Sequence, residues 1–121
     1  MNRDDYIDHH RRVCHEARQL SIAKNHDYTG SSDDPFANFA RVESLGICTT
    51  ETGFLVRLTD KLSRLATFAK HGRLEVADEG VQDTILDGIN YLCLLSAYIE
   101  SRSPAQGSAK IREADCLPEA C

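Results

Sequence analysis

At 121 residues the chain sits near the commonest single-domain size, long enough for one core and too short for two. Its 41% hydrophobic and 27% charged content excludes a disordered or fibrous chain, and a net charge of −5 argues against a duplex-DNA footprint, which needs clustered Lys and Arg. A free nucleotide is not excluded, because one cation and one or two local Lys or Arg can carry its phosphates while the remaining surface stays acidic.

Residues Met1 to Tyr6 lack the apolar run of a signal peptide. The longest apolar stretch, Ile85 to Ile99, is interrupted by Asp87 and Asn90 and is too short to span a bilayer. The expectation is a cytoplasmic protein with no membrane partner. The five cysteines are odd in number and show no CxxC spacing, so neither a disulfide framework nor a zinc site is indicated. Cys93 reads as core, and Cys116 and Cys121 as thiols on a tail.

From about Asp4 to Asn25, Tyr6, His10, Val13, Ala17 and Leu20 recur at threes and fours without Gly or Pro, which predicts a first amphipathic helix. Its apolar content is thin, so it packs on the outside. Asn25 to Asp34 reads as a loop by its small polar residues. Counted from Lys24, the loop offers Lys24, Asp27 and Tyr28 as candidates to close over a bound nucleotide, as polar loops beside rigid helices do; equally, Tyr28 packs on the bundle.

Asp34-Pro35 signals a helix start, since the carboxylate caps exposed N–H groups and Pro at the first position wastes no hydrogen bond. This short helix is predicted to end at about Leu45, with Gly46 as a left-handed terminator and Phe36, Phe39, Val42 and Leu45 on its buried side. The two aromatics read as a core plug or as the wall of a base pocket. Thr49, Thr50 and Thr52 are candidate caps for a helix over about 51–70, with Phe54, Leu55, Leu58, Leu62, Leu65 and Ala69 as its apolar face and His71-Gly72 at its end. A final helix runs from about Glu79 to Ser101. The pattern then breaks at Ser103-Pro104, which divides the chain into a helical domain, 1–102, and a tail, 103–121, expected to be mobile. The fold class is all-α: a small bundle of three long helices and one short one. Its most apolar helix lacks enough partners within one chain, so a homo-oligomer is expected to complete the core.

Glu79, Asp83, Asp87 and Asn90 fall within about 80° of one another at about 100° per residue, along one edge of the last helix. Two carboxylates stacked this way, roughly 5.5 Å apart at an effective dielectric near 20, repel by about 3 kcal/mol unless a cation intervenes. They read either as a solvated face or as oxygen ligands for a divalent cation. The same sector turns apolar at Leu94, which favours the site. On the preceding helix Asp60 lies one turn from Arg57 and Arg64, next to Lys61. It forms a surface ion pair, or it meets Asp83 and Asp87 across a groove while Arg57, Lys61 or Arg64 faces incoming phosphates. Three carboxylates with places left for water and phosphate suit Mg²⁺. The histidines show no metal-binding spacing.

Lys24-Asn25-His26-Asp27-Tyr28, Phe36-Ala37-Asn38-Phe39, the segment Gly53 to Leu65 and the run Asp83-Thr84-Ile85-Leu86-Asp87-Gly88-Ile89-Asn90-Tyr91 together resemble the phage-associated nucleotide-modification-associated domain family. That family is in turn similar to MazG-like all-α NTP pyrophosphohydrolases. The resemblance spans about residues 20 to 100. It implies an all-helical oligomer that binds a deoxynucleoside triphosphate, modified or not, through Mg²⁺ and hydrolyses it to monophosphate and pyrophosphate. Carried over, Asp83 and Asp87 match one metal-ligand set and Asp60 stands where the other belongs. Glu79 becomes an extra ligand or the water-activating base, and Asn38 and Asn90 fall among substrate-binding positions. The chain departs from the pattern in lacking the glutamate cluster of the first ligand helix. Two other readings stand beside hydrolysis: a non-catalytic module that sequesters a nucleotide or assists base modification, and a purely structural oligomer.

Overall fold

A computed structural model describes residues 1–29, 33–73 and 80–102, with side chains of the first stretch described as far as residue 25. Four helices follow one another: α1 (Arg3–Thr29), α2 (Ala37–Ser44), α3 (Thr50–His71) and α4 (Val81–Arg102). The fold is a small all-α bundle, and none of these helices is long and apolar enough to cross a membrane. Residues 103–121, expected to form a tail, lie outside the described residues, as does Glu79.

Each helix end has a local cause. At the start of α1 Asn2 and Asp5 cap each other reciprocally: Asp5 N donates to Asn2 Oδ1 at 2.8 Å and Asn2 N donates to Asp5 Oδ2 at 3.2 Å. The helix runs to Thr29, through a stretch expected to be loop. Residues 25–29 are weak helix formers, but each costs less than about 0.7 kcal/mol, and no Gly or Pro interrupts the ladder before Gly30. Asp34 acts one step earlier than expected. Its Oδ1 accepts from Phe36 N at 2.9 Å, closing a turn over Pro35-Phe36, and α2 begins only at Ala37.

The end of α2 is a Schellman motif. Gly46, at φ +74°, donates to Glu43 O at 2.9 Å and Ile47 N donates to Val42 O at 2.9 Å. Thr49 caps α3 by accepting from Thr52 N at 3.2 Å, and Gly72, at φ +71°, closes the other end by donating to Phe68 O at 2.7 Å.

α3 and α4 form an antiparallel hairpin, in which Glu51 near the start of α3 pairs with Arg102 at the end of α4. One face of this hairpin is covered by α1 and α2. Its centre is Phe54, only 1% exposed, whose ring stacks on Phe39 with centroids 4.1 Å apart. Phe36 and Tyr98 flank Phe54 at 6.4 and 5.9 Å, and Tyr91 meets the Phe39 ring edge-on at 6.0 Å. Gly53 allows α2 to come this close, since a Cβ there would stand 3.0 Å from Val42 Cγ2.

The opposite face of the hairpin is bare. Leu55 and Leu62, expected to be buried, are more than half exposed, and so is Leu92. Leu45 is also exposed, as is Cys93, which the sequence assigned to the core. For the hairpin residues the cause is shared: a helix periodicity marks every apolar position, but α1 and α2 supply cover on one side only. Phe54→Ala is expected to lower stability by about 3–5 kcal/mol in urea denaturation, whereas Leu45→Ser should stay within about 0.5 kcal/mol of wild type.

Candidate functional site

The second half of α1, the start of α2 and the middle of α3 and α4 enclose a pocket of about 170 Å³. Ser21, Lys24 and Asn25 line it from α1, Pro35, Asn38 and Phe39 from the α2 side, Arg57 from α3, and Asp87, Asn90, Tyr91 and Leu94 from α4. On α1 this set arises from the i, i+4 pair Ser21 and Asn25 with Lys24 between them; on α4, from Asp87, Asn90, Tyr91 and Leu94 spaced three and four apart.

Asp87 organises the charge. Lys24 Nζ lies 2.7 Å from its Oδ1, reaching across from α1, and Lys61 Nζ lies 3.3 Å from its Oδ2, reaching across from α3. Lys61 also stands 3.8 Å from Asp60 Oδ2, and Arg64 Nε stands 3.6 Å from the same oxygen. The result is an alternating chain, Lys24–Asp87–Lys61–Asp60–Arg64. The Lys61–Asp87 pair is sheltered, its side chains 15% and 17% exposed, whereas Asp60 is 60% exposed. Arg57 adds a further cation on the pocket wall and has no ion pair among the described residues. Lys24 and Arg57 thus line the pocket together with Asp87, and Lys61 reaches the same carboxylate from α3.

Asn90 contributes differently. Its Nδ2 is buried and finds no hydrogen-bond acceptor among the described residues, although the residue lines the pocket. A buried donor left in this way costs about 1–3 kcal/mol, so a partner supplied by a ligand would be favoured.

The sequence expectations divide here. Lys24, Asn38, Arg57, Asp87 and Asn90 come together around one cavity. Lys61 joins them through Asp87, but Arg64 is turned to Asp60. Asp27 and Tyr28 belong to α1 rather than to a loop, and their side chains lie outside the described residues. Asp60, Asp83 and Asp87 do not close into a three-carboxylate cage, because Lys61 stands between Asp60 and Asp87. Among the described residues no group of three or more His, Cys, Asp or Glu is arranged to hold a metal ion. Asp83, exposed and one turn before Asp87, leaves two carboxylates on one edge of α4. Two hard oxygen donors are a number Mg²⁺ accepts when phosphates and water complete its shell.

Ser21, Tyr91 and Leu94 line the pocket without having been singled out as binding residues. Their signal was present in the helical spacing, but it becomes legible only once α1 and α4 are known to face one another. No protein-family model, curated protein or solved structure matches this chain.

The difference in burial between the two aspartates is testable. Asp87→Ala strands two ammonium groups, one of them well sheltered, and should lower stability by about 1–3 kcal/mol. Asp60→Ala breaks only exposed pairs and should change it by less than about 1 kcal/mol. Chemical denaturation of the two variants side by side checks the ranking.

Proposed function

We propose that this chain is a nucleotide-binding protein of the cytoplasm that works as a homo-oligomer and is a distant relative of the phage-type nucleotide-modification-associated domains. The observation that carries the reading is the buried Asn90 Nδ2, without a hydrogen-bond partner among the described residues, in the wall of a pocket that Lys24 and Arg57 also line and whose Asp87 is met from α3 by Lys61. An amide donor inside and cations at the rim suit a ligand with a hydrogen-bonding base at one end and phosphates at the other.

The cavity volume decides the orientation. At about 170 Å³ it is smaller than the roughly 300–1,000 Å³ of pockets that bury a whole drug-sized ligand, so it takes one ring system and leaves the remainder outside. In this reading the base enters between Phe39, Tyr91 and Leu94, with Asn38 and Asn90 presenting amides to its edge. The phosphates stay at the rim, where they compete with Asp87 for the Lys24 and Lys61 ammonium groups and reach Arg57, whose planar fork suits a bidentate phosphate contact. The favoured form is a module that binds and sequesters a nucleotide or presents it for base modification.

Hydrolysis is the second reading, and Asp83 beside Asp87 on one edge of α4 is what favours it. These two carboxylates would hold Mg²⁺, which when bound supplies a polarised phosphoryl group and an activated water. The product pair would be a deoxynucleoside monophosphate and pyrophosphate, from an ordinary or a modified deoxynucleoside triphosphate.

Thermal unfolding against a panel of deoxynucleoside triphosphates, with and without Mg²⁺, tests the proposal. A cognate nucleotide at a hundred times its Kd should add about 2.7 kcal/mol of stability. Arg57→Ala and Lys61→Ala should each weaken binding by about tenfold or more, the worth of a charge-assisted hydrogen bond. If no nucleotide shifts the transition in either condition, the pocket is not a nucleotide site. Pyrophosphate release in the Mg²⁺ arm separates the hydrolase from the binding module.

A further inference from the structure

Asp87 is the carboxylate that a metal-using site would have to offer, and both of its oxygens are already engaged. Lys24 Nζ donates to Oδ1 at 2.7 Å, and Lys61 Nζ stands 3.3 Å from Oδ2. Lys61 Nζ also lies 3.8 Å from Oδ2 of its neighbour Asp60. An ammonium group thus stands between carboxylates of α3 and α4, at the point where a cation shared by the two would have to sit. The Lys61–Asp87 pair is sheltered, so salt and water loosen it less than they do an exposed pair. Asp83, the other carboxylate on this edge of α4, is exposed, and its Oδ2 lies 3.4 Å from where a Cβ on Gly80 would stand. It is turned toward the start of α4, where the N–H groups of the first turn attract negative charge.

We infer that Lys61 is the resident cation of this site, and that the pocket binds the phosphates of its ligand without a divalent metal. Mg²⁺ holds carboxylate oxygen at about 2.0–2.1 Å and sheds its waters reluctantly. To reach Asp87 it must displace two ammonium groups, or share the carboxylate with them and meet their repulsion at close range. A phosphate faces no such obstacle. An ammonium carries three donors and no acceptor, so it serves a carboxylate and a phosphate oxygen at once. Arg57, on the pocket wall, adds a planar fork for a further phosphate contact. The ligand this site takes is therefore a nucleotide without its metal. The inference rests on the nucleotide reading for that ligand and separates the two forms of it. A site whose cation is a lysine has no metal-bound water to activate, which favours the binding module over the hydrolase.

Two measurements on the full-length chain test it. The first is thermal unfolding with Mg²⁺ or Mn²⁺ as the only addition. The wild type should not shift, whereas the double variant Lys24→Met/Lys61→Met should be stabilised by either ion, because Asp60 and Asp87 then lack their shared ammonium. A wild-type shift that Asp87→Asn abolishes overturns the inference, and so does a folded double variant indifferent to both ions. The second is isothermal titration calorimetry with inorganic triphosphate, in EDTA and in Mg²⁺, which needs no variant to fold. The wild type should bind at least as tightly in EDTA as in Mg²⁺. Lys61→Met should weaken binding by about tenfold or more, the worth of a charge-assisted hydrogen bond. Binding in Mg²⁺ alone overturns the inference and leaves the nucleotide reading standing. Absence of binding in both buffers, by this probe and by the deoxynucleoside triphosphates, overturns both.

Discussion

Asp87 held between two ammonium groups is the interaction on which the arrangement of this molecule turns. Lys24 belongs to α1, Lys61 to α3 and Asp87 to α4, so one carboxylate ties three helices together. α1 has little else with which to hold itself in place, since Ala17 is its only fully buried side chain among the described residues. A sheltered carboxylate demands hydrogen-bonded cations, because desolvating it alone would cost several kcal/mol. The register of α1 on the hairpin follows from that demand, and with it the placement of Ser21 and Asn25 in the pocket wall.

The aromatic cluster does the equivalent for α2. An eight-residue helix has little stability of its own, and this one contains no fully buried residue. It is held from outside by the stack of Phe39 on Phe54 and by the close approach over Gly53. Thr50 adds a polar tie, donating to Glu43 Oε2 at 2.8 Å. Phe39 is therefore both a core plug and a pocket wall, and Asn38 beside it is positioned by the same contact. The core-plug reading holds, and the same ring lines the pocket.

The hairpin of α3 and α4 thus has two unlike faces. One is aromatic and charged, covered by α1 and α2, and carries the pocket. The other is aliphatic, with Leu55, Leu62, Leu92 and Ile99 each about half exposed. Chemistry that needs precise charge placement lies on the face the chain itself covers.

The helix count, the glycine-marked ends of α2 and α3, the Thr49 start of α3 and the edge of α4 bearing Asp83, Asp87 and Asn90 were legible in the sequence alone, because caps, glycine terminators and a 3.6-residue period act within a few residues of one another. Gly46, Thr49 and Gly72 stop or start helices through hydrogen bonds to neighbours no more than five residues away. What pairs with what was not legible. The sequence showed that Asp87 needed a positive partner, but Mg²⁺, an arginine or a lysine would satisfy that need equally. Only the packing brought Lys24, 63 residues distant, to 2.7 Å and set Lys61 between Asp60 and Asp87. The same holds for burial: Phe54 and Leu62 carry the same hydrophobic signal on one helix, yet Phe54 is 1% exposed and Leu62 55%. Local periodicity determines which residues share a face. Which faces meet depends on contacts between distant segments, and those exist only in three dimensions.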